Sequence, residues 1–464
     1  MSLRSRLACR AADLATWASR KTGRGAGGMI GGLVAGAIDP DLLAQLGQGR
    51  PCAIVTGTNG KSTTTRMLAE AVRTRRTVAT NEGGDNMDAG VISALLAGRD
   101  RETLVLEVDE LHVPSIADRL NCDTLVLLNL SRDQLDRVGE ITKIERSLRS
   151  CVESRPDMTV IANCDDVQVT SVAWDCPNVV WVSAGGSWAG DSASCPRTGG
   201  AVIRETDDAG HLVDWYAVKP LPTGREFRRP TPEWVIGPDG LTTPDGDVLP
   251  MQLKLPGDAN RGNAAEAIAA AVAMGVDRTD ALAAVERVDS VAGRYSTVEI
   301  DGRRVHMLLA KNPAGWQEAL SMVDRSADGL VISVNGQVAD GEDLSWLWDV
   351  RFENLGGLHV VAAGERGTDL GVRLGYAGIT HELVADTVEA IRHCPPGRVE
   401  VLANYTAFRD LRRALDRAGA QPAATTTGTG STGTTDTDTT DTDTADTDTA
   451  ADTTATTDRG ETHE

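Results

Sequence analysis

The chain has 464 residues, 67 of them acidic and 46 basic, for a formal net charge of −21, and 41% are hydrophobic. That length and apolar content predict two or three domains with sizeable cores. The acidic balance argues against non-specific nucleic-acid binding, which needs clustered Lys and Arg. No apolar run reaches the ~18 residues of a membrane-spanning helix, so a cytoplasmic protein without a transmembrane segment is expected.

In chain order, residues 1–50 read as an N-terminal helical extension that ends in Asp41-Leu42-Leu43-Ala44-Gln45-Leu46. Its start, Met1 to Gly28, is basic and Ala-rich but lacks the continuous apolar core of a leader. Such a segment suits contact with an anionic membrane surface, at the inner face of the membrane. Residues 51–295 form a central unit in which strands at 53–55, 76–80, 103–108, 124–129, 158–162 and 179–183 alternate with helical patterns. That alternation predicts an α/β fold with a mostly parallel sheet and helices on both faces. The Gly-, Pro- and Asp-rich stretch 184–247 reads as an inserted small β region. Helices are expected at 262–274 and 279–288.

A second, Rossmann-like α/β unit spans 296–419. Its strands are expected at 304–309, 329–334, 358–362 and 398–402, and its helices near 313–322, 366–374, 382–393 and 405–418. The segment 420–464 is Thr/Asp/Gly/Ala low complexity. It has too little apolar surface to offset the entropy of ordering and is expected to be disordered. Residues 421–464 account for −9 of the net charge. The eight cysteines, 9, 52, 122, 151, 164, 176, 195 and 394, form no Cys-x-x-Cys pair and read as core residues.

Chemistry concentrates at Val55-Thr56-Gly57-Thr58-Asn59-Gly60-Lys61-Ser62-Thr63-Thr64. Strand, glycine loop, Lys-Ser and helix are the layout of a phosphate cradle. Glycines let amides turn toward a polyphosphate, and the helix N-terminus adds positive potential. Lys61 would reach the outer phosphates and the Ser62 hydroxyl would hold Mg²⁺. The predicted strand 103–108 ends in Glu107-Val108-Asp109-Glu110. Ligands of open α/β sheets bind at the carboxyl ends of strands, which places Glu107 as a second Mg²⁺ ligand, direct or through water.

The loop, with Leu106-Glu107-Val108, resembles the central ATPase domain of the Mur ligase superfamily. Asn129-Leu130-Ser131-Arg132-Asp133-Gln134-Leu135-Asp136-Arg137 is similar to that family's Asn-x-x-x-Asp-His-Leu-Asp segment. Gly257-Asp258-Ala259-Asn260-Arg261-Gly262-Asn263 resembles its Gly-x-His-Asn-x-x-Asn helix entry. The resemblance implies ATP contacts from Gly57, Thr58, Asn59, Gly60, Lys61, Ser62, Thr63, Asn260 and Asn263, with Asn263 on adenine. It implies a phosphate contact from Arg294 in Gly293-Arg294.

Gln134 and Ala259 stand where amino-acid-adding Mur ligases carry His, and the lysine those enzymes carbamylate has no evident counterpart. Asp340-Gly341-Glu342-Asp343-Leu344-Ser345-Trp346-Leu347-Trp348-Asp349 instead resembles the MurT subfamily. Lys311-Asn312-Pro313-Ala314-Gly315-Trp316, Met29-Ile30-Gly31-Gly32 and Thr80-Asn81-Glu82-Gly83-Gly84-Asp85-Asn86-Met87 do likewise. The resemblance covers about 1–419.

MurT proteins are the ligase subunits of lipid II isoglutaminyl synthases. The resemblance therefore implies ATP- and Mg²⁺-dependent amidation of the stem D-glutamate of lipid II. The ammonia would come from a GatD-like glutaminase partner, because no glutaminase nucleophile loop is evident in this chain. An acidic residue of the C-terminal domain orients the partner's catalytic His in such pairs. That role falls on Asp349, with Asp340 and Asp343 as substitutes. Trp346 and Trp348 read equally as partner contacts or as core.

Many MurT proteins carry a four-cysteine zinc ribbon in the inserted region. Here Cys195-Pro196-Arg197-Thr198 has Thr where a second Cys would stand, and 225–230 has none. A structural zinc needs about four N/S ligands, so none is expected. Two other readings remain: a Mur- or folylpolyglutamate-synthase-like amino-acid ligase, and an ATP-binding scaffold that activates a glutaminase.

Overall fold

The computed structural model describes residues 2–21, 29–81, 84–132, 140–185, 190–208, 211–289, 295–341 and 343–422. The strands of the first part are β1 (Cys52–Thr56), β2 (Val78–Ala79), β3 (Thr103–Glu107), β4 (Thr124–Leu127), β5 (Thr159–Asn163) and β6 (Val179–Ser183). Next come the ribbon β7 (Val202–Thr206) and β8 (Leu212–Ala217), then β9 (Trp234–Gly237), β10 (Gly240–Thr242) and β11 (Val248–Leu249). The larger sheet has the order β11-β10-β9-β6-β5-β4-β1-β3-β2. Pairing is parallel from β2 to β9 and antiparallel for β10 and β11.

Strands β1, β3 and β4 are buried along their whole length. Their near-continuous apolar runs suit a parallel sheet covered on both faces. One face carries the helices Lys61–Arg73, Asp258–Ala273 and Arg278–Val285, through Met67, Leu68, Ile268 and Ala281. The other carries Asp88–Ala97, Val113–Leu120 and Glu140–Glu153. The N-terminal helices Leu3–Lys21, Ile30–Ile38 and Leu42–Gly47 belong to that second layer, with Ala8, Ala35, Leu42 and Leu43 in its core. The chain leaves β1 toward β2 and β3 on one side and returns to β4 on the other. A topological switch point therefore lies between β1 and β4.

The second sheet is built from β12 (Tyr295–Ile300), β13 (Arg303–Leu309), β14 (Gly329–Ser333), β15 (Val360–Ala363), β16 (His381–Leu383), β17 (Gly397–Ala403) and β18 (Gln421–Pro422). Its order is β16-β15-β14-β17-β13-β12-β18, parallel from β16 to β13 and antiparallel beyond.

Three expectations need correction. The stretch 184–247 is not wholly an excursion from the sheet, because its β9 and β10, with β11 just beyond it, extend the sheet past β6. Among the described residues the β7–β8 ribbon stands apart from that sheet, over a small core of Cys195, Trp215, Phe227 and the half-buried Trp174. The expected helix 382–393 is a strand and a shorter helix, Thr387–His393. Residues 381–383 pair with β15, and the Asp386 carboxylate caps the helix by accepting from the Glu389 amide. Ordered chain also runs slightly past 420, because Gln421 and Pro422 pair with β12. The Thr/Asp-rich tail from 423 lies outside the described residues.

Candidate active site

Gly57–Gly60 follows β1 and is bound to the chain that leaves β4. The Thr58 amide donates to Asn129 O at 2.9 Å and the Asn59 amide to Asn129 Oδ1 at 2.9 Å. Asn129 Nδ2 returns a bond to Asn59 O at 3.0 Å, and the Thr58 hydroxyl exchanges bonds with the backbone of Ser131. Two glycines make this approach possible. A Cβ on Gly57 (φ 140°) would meet the Asn129 backbone at 2.9–3.0 Å. A Cβ on Gly60 (φ 86°) would run into Asn263 Oδ1. The helix from Lys61 then presents first-turn amides that helix geometry leaves without intrahelical partners. A cradle too narrow for a Cβ, at a helix N-terminus, fits a polyphosphate.

Lys61 is 9% exposed, and its Nζ donates to Gly57 O at 2.7 Å. It also stands 3.3 Å from Glu110 Oε2. Burial pushes the Glu110 carboxyl above its ordinary value, and Lys61 opposes that shift. Sequence reading singled out Glu107 and missed Glu110 as the lysine's partner. The only signal was its place three residues past the end of β3.

Ser62 is half-buried in the helix's first turn and Thr63 is buried. Glu107 is 3% exposed, and its backbone is clasped by Asn81, which accepts from the Glu107 amide at 2.8 Å and donates to its carbonyl at 2.7 Å. Asn86 Nδ2 reaches the Glu107 carboxylate at 3.3 Å. Asn81 and Asn86 thus hold the strand end on which a metal ligand was expected.

Asn260 and Asn263, one helical turn apart, are both buried and share a 3.3 Å bond, and Asn263 lies against Gly60 of the loop. The C-terminal part of the chain also reaches the cradle. Asn312 and Asn59 exchange side-chain amide bonds at 3.2 and 3.3 Å. Asn312 Oδ1 also caps the helix Pro313–Met322 through the Gly315 amide. Arg294 and Gly293 lie outside the described residues, as do Gln134, Asp136, Glu82, Gly83 and Glu342.

The three aspartates weighed for the partner's histidine have different surroundings. Asp340 accepts from the Thr406 amide and hydroxyl at the start of the helix Tyr405–Arg417, and burial raises its carboxyl. Asp343 is exposed and held by the Ser345 amide, which lowers its carboxyl. Asp349 is partly open and lies 3.2 Å from Arg132 Nη2. Arg132 also bonds Asp191 through both its amide and its guanidinium. The short run 129–132 therefore touches the cradle at one end and Asp349 at the other. Ser345–Trp348 is a 3₁₀ turn. Trp346 stacks on Trp316 (centroids 5.4 Å) in the core, whereas Trp348 is 54% exposed against Tyr376.

Residues 55–187 match the model of the Mur ligase middle domain, and residues 309–408 that of the MurT ligase C-terminal domain. A lipid II isoglutaminyl synthase (glutamine-hydrolysing) subunit MurT of Streptococcus pneumoniae is 27% identical over 84% of this chain and 93% of its own length. Its Staphylococcus aureus counterpart is 26% identical over 88% of this chain and 97% of its own. Among solved structures, a pseudomurein peptide ligase type C from Methanothermus fervidus matches with a TM-score of 0.61. It is 17% identical over 82% of this chain and 81% of that one, a likeness of fold.

Proposed function

We propose, for a chain that belongs to the MurT branch of the Mur ligase family, that it amidates the α-carboxylate of D-glutamate in lipid II, using ATP and ammonia from a GatD-like glutaminase subunit. The observation that carries this reading is the pairing of a Mur-type cradle at 57–63 with a MurT-type C-terminal domain that touches it through Asn312.

A carboxylate does not accept ammonia, because oxide is too poor a leaving group. Attack of a carboxylate oxygen on the γ-phosphorus of ATP, with ADP leaving, gives an acyl phosphate. Ammonia then attacks its carbonyl carbon, phosphate leaves, a proton is lost and D-isoglutamine results. Gly57–Thr63 would cradle the phosphates, and Lys61 and Arg294 would offset charge on the transferred group. Asn260 and Asn263 would bind the nucleoside end. Ser62 and Glu107 would hold Mg²⁺, which would neutralise charge on the transferring phosphoryl.

Asp349 would be a positioning residue for the partner's histidine, held ready by Arg132. Asp340 suits this role poorly, since it already caps a helix. The protein would act in the cytoplasm on an acceptor held in the membrane.

The test is the identity of the nucleophile. With lipid II, ATP and Mg²⁺, ammonium chloride should drive phosphate release and a carboxylate-to-amide mass change without the partner. An amino acid as the incorporated nucleophile would establish an amino-acid ligase instead. ATP binding without turnover under either condition would favour the scaffold.

A further inference from the structure

The N-terminal helix Leu3–Lys21 is packed the wrong way round for a helix whose outer face meets only water. It turns its small side chains inward: Ser5, Ala8, Cys9, Ala12 and Ser19 are at most 9% exposed. It turns its large apolar ones outward: Leu3 is 85% exposed, Leu7 61%, Leu14 65% and Trp17 57%. At 100° per residue those four fall on one side of the helix, opposite the buried stripe. Leu33 on the next helix, Ile30–Ile38, is 57% exposed as well.

Charge follows the same division. Arg6, Arg10 and Lys21 are exposed, and Lys21 Nζ stands 4.9 Å from the Trp17 ring. The helix's one acid, Asp13, is bonded by Arg99 at 3.0 Å. Five basic residues against one acid lie here in a chain whose net charge is −21.

We propose that this face docks on an anionic phospholipid bilayer. Leucines and a tryptophan would enter the headgroup boundary while arginines and the lysine meet lipid phosphates. The charge favours lipid over the chain's own tail: 423–464 is acidic, but it contains no Leu, Ile, Val, Phe, Trp, Tyr or Met to cover such a surface. Docking would keep the cradle beside a membrane-held acceptor. The inference deepens the reading above, but it stands on the helix and is measured without turnover.

The full-length protein is sedimented with vesicles of 30% phosphatidylglycerol in phosphatidylcholine, and with phosphatidylcholine alone. The wild type should sediment with the anionic vesicles, less so in high salt. The pair Leu7→Asp and Leu14→Asp should cut the bound fraction at least about tenfold. The pair Arg6→Glu and Arg10→Glu should cut it only on anionic vesicles. Both pairs should melt as the wild type does and amidate detergent-solubilised lipid II normally. Failure of amidation in the wild type would count against the enzymatic reading and leave docking standing. Equal binding by wild type and the leucine pair would overturn the proposal. So would light scattering in which the leucine pair dissolves a dimer, or a complex with the glutaminase, while wild type ignores vesicles.

Discussion

Replacing Lys61 by Met should damage both stability and activity, and pH separates the two effects. The substitution removes the ammonium 3.3 Å from Glu110 Oε2 and leaves a carboxylate only 6% exposed without its counter-charge. An uncompensated buried charge costs about 3–5 kcal/mol. The group can escape by taking a proton, which sets a ceiling. From an unfolded value of 4.5, protonation at pH 7 costs about 3.4 kcal/mol, and at pH 5.5 about 1.4 kcal/mol. A carboxyl whose folded-state value is raised carries its penalty above that value and sheds it as pH falls toward the unfolded one. Lys61→Met should therefore lose about 2 kcal/mol less at pH 5.5 than at pH 7 in urea unfolding. Adding Glu110→Gln should flatten this dependence and restore most of the stability, because neutral groups in place of a buried pair are often tolerated. Activity should stay lost in both variants. The same destabilisation at every pH, or ATP-dependent turnover by the double variant, would refute the reasoning.

Three further outcomes are expected. Gly60→Ala should abolish ATP binding in calorimetry and cost about 1–2 kcal/mol from φ 86° alone. Gly49→Ala, equally strained at φ 73° but with open space around its Cβ, should keep full affinity. Asp349→Asn should lose amidation driven by glutamine and keep that driven by ammonium chloride, while Asp343→Asn should keep both. Glu266 is 2% exposed, its Oε1 has no hydrogen-bond partner, and burial beside Asp165 and Asp166 raises its carboxyl well above the ordinary range. Glu266→Gln should thus stabilise the protein above neutral pH, with the gain vanishing as pH falls to the unfolded value of 4.5. A gain that grew on acidification would contradict that sign.

The cradle was legible because its signal is local: an apolar strand, two glycines and a helix that opens on Lys-Ser, all close together in sequence. The buried parallel strands were legible because both their faces are covered, so their runs are continuous. What escaped depends on pairing between distant segments. β16 is a three-residue edge strand that reads as the start of the following helix until β15 stands beside it. β10 and β11 are too short to show a period. Asn129 folding back on Asn59, Glu110 on Lys61 and Arg132 on Asp349 span 70, 49 and 217 residues of sequence. No local pattern encodes these contacts. The outward leucines of the first helix were invisible for a related reason, since periodicity shows that a helix has an apolar side but not which side the body covers.

The most direct test joins both proteins in one reaction. Lipid II, ATP, Mg²⁺ and glutamine are incubated with this chain and a GatD-like glutaminase, and the lipid is weighed by mass spectrometry. The account predicts a mass change from carboxylate to amide that requires both proteins and ATP. Unchanged lipid in a reaction where ATP is bound and ammonia is supplied would contradict it.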